Sequence, residues 1–396
     1  MDRGRIRMPS GLEAFFIDLD AGGCNMTFHF YLELDRKPDV SLLRDAMRHM
    51  MSAHEGMNMR YHRHAWYVSS YAHECPVIDV EGEDLSSYTP CRLDYRQNTV
   101  DLKVLHATRS DTWYLCFDFF HGVVDGRSGM QFVYDFFDVL NKREGLAPHF
   151  TLRVSELVHS KDRPARQCTR PAFTVFPQCV PSQWSIGGRG EDKTRMLCHR
   201  GRLQGVSARY ADLVSRLFGD KSAKMIIPVD VRRHARQQDT AMYGNLFVPL
   251  LVDTAKYPSW TDIHSEILSF VKQKPRLMTL AEKLDLYARF PVGLRRAVIR
   301  GAIPLVMAQK KFIYCALVSA LGTVDSERLT CECFAVKDYS VSFVSFPFAA
   351  FTVISLQYEG HTNTTVSWHS GRVPDEAVNT LVDQINECMN TQVVYG

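Results

Sequence analysis

The 396-residue chain contains no run of the roughly 20 apolar residues that a membrane-crossing helix requires, because Arg295 and Arg300 interrupt its most apolar late stretch, residues 290–309. That stretch reads as a core or cleft-lining helix in preference to a basic amphipathic surface for lipid. The polar residues 1–10 carry three arginines and lead into no apolar run, unlike a secretory signal peptide. A strong charge imbalance is missing too: a net charge of +3 is too small at this length for the basic footprint of a nucleic-acid binder. The eleven cysteines show no paired spacing and read as reduced thiols, with Cys331 and Cys333 expected on one face of a strand. The expectation is a cytoplasmic protein with no transmembrane segment and no nucleic-acid partner.

Several local signatures of chemistry are also missing. There is no Gly-x-Ser-x-Gly elbow, no phosphate loop ending in Gly-Lys-Ser/Thr, no His-Glu-x-x-His and no Cys-x-x-Cys. This argues against a serine hydrolase, a nucleotide hydrolase and a zinc enzyme. His62 and His64, which flank Arg63, read as exposed residues of a polar turn rather than as a metal pair. His73-Glu74-Cys75 lacks the second ligand pair of a zinc deaminase. Residues 322–326, Gly-Thr-Val-Asp-Ser, read as a loop. No metal and no tightly bound cofactor are expected.

What is present is a folded, globular composition, 45% hydrophobic and 23% charged. A chain of this length exceeds one ordinary core and suits two domains of about 200 residues with a cleft between them. Residues 27–34 alternate like a strand, and Leu42, Leu43, Ala46, Met47, Met50 and Met51 recur at helical spacing. A hairpin follows, with Val100, Leu102 and Val104 alternating before an almost continuously apolar run at 113–120. Met130, Phe132, Val133, Phe136, Phe137 and Leu140 then mark one face of a helix. A stretch rich in Pro, Arg, Gln and Gly from 160 to 193 suits a crossover. Strands are expected at 224–231, 246–252, 343–346, 351–358 and 364–368, and a final helix after Pro374.

Between the buried strand and its helix lies His121-Gly122-Val123-Val124-Asp125-Gly126. A histidine at a strand end is held rigidly while its ring can face a cleft, and its ordinary pKa near 6.5 leaves it largely neutral and able to accept a proton. The plain alternative is a histidine that only ends a strand. Asp125, four residues on, could orient the imidazole as the carboxylate of a triad does.

This run resembles the active-site motif shared by chloramphenicol acetyltransferase, alcohol acyltransferases and peptide-synthetase condensation domains. Pro228-Val229-Asp230-Val231-Arg232, followed by Gly244-Asn245, resembles the second-domain signature in which an arginine pairs with the motif aspartate. Ser319-Ala320-Leu321-Gly322 is similar to a Ser-Asn-Leu-Gly turn of related enzymes. Two positions depart: Phe120 stands where condensation domains usually have a first histidine, and Ala320 where the turn has asparagine.

The resemblance spans nearly the whole chain and implies an α/β fold of two chloramphenicol acetyltransferase-like domains. Each would be a mixed sheet flanked by helices, with a channel between them. Residues 1–160 would carry the motif, 161–195 would cross over, and 196–396 would form the second domain. It implies an acyltransferase moving an acyl group from acyl-coenzyme A to a hydroxyl or amine, with His121 as general base. Asp125 would turn away from the histidine and pair with Arg232 to fix the loop, while Gly126 would permit the tight backbone into the helix. Acyl-coenzyme A is then a co-substrate, and the acceptor a small or lipidic molecule. Two alternatives stay open: a free-standing condensation-type enzyme fed by an acyl carrier protein, and a catalytically silent homologue that binds a ligand or partner.

Overall fold

The computed structural model describes residues 5–54, 56–143, 150–151, 180–181, 190–219, 223–234, 242–257, 259–273, 285–308 and 311–390. The crossover expected at 161–195 lies outside them except for 180–181 and 190–195.

Helix α1 (Gly11–Ala21) is capped by Ser10, which exchanges hydrogen bonds with Glu13 in a capping box. No apolar stripe announces this helix, because its inward face carries carboxylates that are all matched. Glu13 pairs with Arg7, Asp18 with Arg295 and Arg296, and Asp20 with Arg92. The alternating segment that follows is strand β1 (Thr27–Leu34), and the helical spacing after it is α2 (Val40–Ala53). Strands β2 (Val77–Val80), β3 (Val100–Ala107) and β4 (Thr112–Phe120) complete the first half of a sheet, and α3 (Gly126–Leu140) packs on it. β4 lies centrally, antiparallel to β1 from Thr27↔Phe120 to Leu34↔Trp113 and antiparallel to β3 on its other side. All its residues after Thr112 are buried, so both faces are covered, and its sequence is accordingly an almost continuous apolar run broken by Asp118. Phe117 and Phe119 of β4 join Leu43 and Met47 of α2 and Phe132 and Phe136 of α3 in one core.

The second half supplies β5 (Asp192–Arg200), α4 (Val206–Leu217), β6 (Lys224–Asp230), β7 (Phe247–Asp253), α5 (Trp260–Lys272), α6 (Val292–Ala308), β8 (Tyr314–Thr323), β9 (Val336–Phe343), β10 (Ala349–Tyr358), β11 (His361–His369) and α7 (Asp375–Asn390). Six of these strands form a mixed sheet in the order β5-β11-β10-β8-β6-β7. The exception is β9, which leaves this half and pairs antiparallel with β1 at the edge of the first sheet. The two lobes are therefore interlocked rather than consecutive. Asn363, Thr365 and Ser367, two apart and so on one face of β11, donate to the carbonyls of Tyr339, Val341 and Phe343 on β9. That polar row fastens one sheet to the other.

Three expectations are corrected. The strand placed at 343–346 ends at Phe343, after which the chain turns and the Phe346 amide donates to Thr352. Ser319-Ala320-Leu321-Gly322 lies within β8 rather than in a turn. The ladder to β10 shifts register between Ala320 and Thr323, where Gly322 takes a φ of 90° that side chains disfavour. Cys331 and Cys333 fall in the loop closed by the Thr330↔Ala335 bridge, not on a strand. His62 and His64 are exposed at a hairpin whose tip residues, Arg63 and His64, have φ of 45° and 65°.

Candidate active site

His121 follows the last residue of β4, and its amide donates to the Met26 carbonyl at 2.8 Å, carrying the β1–β4 contact one residue past the ladder. Before it, Phe120 turns into the core, stacked on Tyr95 at 4.5 Å between ring centres and absent from the cavity lining. After it, a Cβ on Gly122 would come within 2.1 Å of the Phe120 ring, so close approach demands glycine there. The backbone thus presents the imidazole between the packed Phe120 ring and a glycine that leaves that ring its room.

That imidazole sits in an aromatic cage. Phe16 of α1 stacks on it at 4.6 Å, Phe28 and Phe343 meet it edge-on at 5.4 Å, and Phe247 lies at 6.0 Å. Burial among these rings disfavours the charged form and lowers the His121 pKa below its ordinary 6.5. The ring is therefore neutral at neutral pH.

Asn245, from the chain between β6 and β7, sets the tautomer. Its Nδ2 donates to the His121 carbonyl at 2.6 Å, which leaves Oδ1 facing His121 Nδ1 at 3.2 Å. An amide oxygen only accepts, so the ring proton resides on Nδ1 and the lone pair on Nε2. The sequence pattern of Gly244-Asn245 reads as a turn, and nothing in a single sequence ties position 245 to position 121.

Asp125 makes a different set of contacts. It caps α3, with Oδ1 accepting from the Ser128 amide at 2.8 Å and from Arg232 Nη2 at 2.7 Å, while Oδ2 accepts from the Leu246 amide at 2.8 Å. Arg232 also donates to Asp230 and to Ser128 Oγ. Burial pushes the Asp125 carboxyl up, but the Arg232 charge and these hydrogen bonds outweigh it and hold it below the usual carboxylate value. The pair joins the start of α3 in the first lobe to the end of β6 in the second. Gly126 is not in the left-handed region. Its Cβ would lie 2.5 Å from the Leu321 side chain, so packing of α3 against β8 requires the glycine, rather than a tight backbone.

His121 lines a cavity of about 760 Å³ walled by both lobes, including Phe16, Ile226, Phe247, Leu317, Phe343 and Ile354. Such a volume suits a small-molecule ligand. Ser319 and Ala320 line it, as do the exposed Arg127 and Arg233. Among the described residues, one group could hold a metal, the buried His29, Cys116 and Asp118, on a different part of the sheet and outside this cavity. Lys103 already places an ammonium against Asp118 there.

No protein-family model and no curated protein sequence matches this chain. Solved structures do. The condensation domain of the monacolin K polyketide synthase superposes with a TM-score of 0.61 at 10% identity, covering 98% of this chain and 97% of that one. The fold is that of the condensation domains. Trichothecene 15-O-acetyltransferase from Fusarium sporotrichioides matches with a TM-score of 0.60 at 11% identity over 97% and 94% of the two chains. Polyketide synthase associated protein 5 from Mycobacterium tuberculosis gives 0.59 at 15% over 96% of each. Among the described residues no helix is long and apolar enough to cross a membrane.

Proposed function

We propose that this chain is an acyltransferase that moves an acyl group from acyl-coenzyme A to a hydroxyl or amine, with His121 as general base. The observation that carries the reading is the Asn245 contact, which leaves a neutral ring with its lone pair on Nε2 inside a cavity between two lobes. Nε2 takes the proton of the acceptor O–H or N–H as its lone pair attacks the thioester carbonyl. A tetrahedral intermediate forms, the C–S bond breaks, and the imidazolium returns the proton to the leaving thiolate. The step draws on no metal and no bound cofactor. Asp125 and Arg232 act at a distance from the chemistry by holding the loop that carries His121.

The mostly apolar lining favours an apolar acyl chain or a lipidic acceptor, and Arg127 and Arg233 supply positive charge that suits the phosphates of coenzyme A. The condensation-domain fold keeps an acyl carrier protein as the alternative donor. Thiol release is the deciding assay. Acyl-coenzyme A with a panel of alcohols and amines should release free thiol in an acceptor-dependent way. Release only from an acylated carrier protein would transfer the reading to a condensation-type enzyme, and release from neither would leave a silent homologue.

A further inference from the structure

Helix α6 is built inside out. Its inward face carries Arg295, whose Nε lies 3.0 Å from the buried Asp18, and Ile299, which packs against Gly22 of α1. Its outward face carries Leu294, Val298 and Leu305, which are 53%, 57% and 58% exposed. These positions, with Gly301 between them, fall in a single stripe at helical spacing. A Cβ added at Gly293 or Gly301 would meet nothing within 4 Å, so this side is open. The helical residues 285–288 and the turn that leads into α6 continue the surface, with Leu286 and Phe290 also about half exposed. A core or cleft-lining helix would bury this face; here the ion pair takes the interior and leaves the apolar residues outside.

Two features identify what covers the stripe. From residue 286 to 308 the sequence holds no acidic residue, and of its four arginines Arg295 and Arg296 turn to Asp18 while Arg289 and Arg300 are exposed beside the apolar face. The same segment forms a wall of the cavity, since Tyr287 lines it and donates to Asp18 at 3.1 Å, one residue from the exposed Leu286. We infer that α6 and the turn before it dock on the surface of an anionic bilayer. The apolar stripe enters the interface, Arg289 and Arg300 meet lipid phosphates, and apolar substrates reach the cavity from the membrane side. A second copy of this chain is a poorer occupant, because a two-fold contact through the stripe would bring its arginines toward one another.

Co-sedimentation of the full chain with vesicles tests this without any substrate, so its failure leaves the acyl-transfer reading standing. The wild type should pellet with vesicles of phosphatidylcholine mixed with phosphatidylserine, and much less with phosphatidylcholine alone. The Leu294→Glu/Val298→Glu variant, altered only at exposed positions, should lose about ten-fold or more of that binding. The milder Val298→Gln should weaken it in the same direction, and thermal melting should show both variants folded. Wild type remaining in the supernatant, or variants that pellet like wild type, would overturn the proposal. So would a wild-type dimer in light scattering that the double substitution dissociates while vesicle binding is absent.

Discussion

His29 lies on β1 and His121 just past the end of its paired strand β4, and their surroundings are opposite. His29 on β1 stands directly across the ladder from Asp118, with Nδ1 2.7 Å from Oδ1, and Lys103 occupies the second carboxylate oxygen. Burial pushes Asp118 up, but the charges and hydrogen bonds of His29 and Lys103 outweigh it and hold it below the ordinary carboxylate value. None of these groups lines the cavity. His121 has a neutral amide as its partner, and it does line the cavity. A histidine beside an aspartate invites a reading as part of a triad. Here that contact belongs to the packed interior, and the histidine without a carboxylate is the one placed to act on a substrate. Access and a neutral partner, not proximity to an acid, mark the base.

Exchanging the two residues should separate their roles most sharply. His121→Ala should lower thiol release about 100- to 10,000-fold, mainly in kcat, with the melting temperature little changed. His29→Ala should do the reverse, costing about 1–3 kcal/mol in denaturant unfolding by leaving Asp118 short of a partner, with kcat of the folded protein unaltered. Equal activity losses in the two variants would erase the distinction.

Two of the buried aspartates, Asp118 and Asp125, extend the comparison. Removing either strands a cation at a cost of about 3–5 kcal/mol. Asp118→Ala should confine its effect to stability, whereas Asp125→Ala should lower activity as well, because it frees the loop behind His121. Asp125→Ala/Arg232→Ala should be less harmful than the sum of its single changes. Additive effects would deny the coupling seen in the 2.7 Å contact. Both carboxyls titrate below their ordinary value of 3.8, so the stability they contribute is complete above that pH and is lost as the pH falls through their folded values. Acid unfolding of Asp118→Ala should show a shallower pH dependence than that of wild type.

A smaller effect comes from giving His121 the partner that His29 has. Asn245→Ala should lower kcat about ten-fold, the worth of one hydrogen bond. Asn245→Asp should raise the acid limb of the pH–rate profile by about one unit, because a carboxylate at Nδ1 favours the protonated ring. In wild type that limb lies below 6.5, since burial lowers the His121 pKa. An Asn245→Asp profile superimposable on wild type would show that residue 245 does not govern the ring.

Much of this arrangement can be read from the sequence, though unevenly. β1 and β4 are plain because apolar residues alternate at 27–34 and run almost continuously, broken by Asp118, at 113–120. The run from His121 to Gly126 is equally visible, and the resemblance names Arg232 as the partner of Asp125. What stays hidden is whatever depends on distant pairing. α1 has nine of its eleven residues buried, yet three of them are acids matched by arginines from elsewhere, so no stripe survives. β5 is a polar edge strand, its residues alternately exposed and half-buried, so no strand pattern shows in its sequence, and its first residues fall in the expected crossover. β9 belongs to the first sheet although its sequence lies in the second half, and local patterning carries no information about which sheet a strand joins. Asn245 stands in the quoted signature, but its contact with His121 is hidden for the same reason.

The central claim is that His121 is a neutral base protonated at Nδ1, and nitrogen NMR of its ring in the full-length chain tests this most directly. The account predicts a neutral ring at about pH 7 with the proton on Nδ1, titrating below its ordinary value and moving upward in Asn245→Asp. A ring protonated at Nε2, or one still charged at that pH, would contradict it.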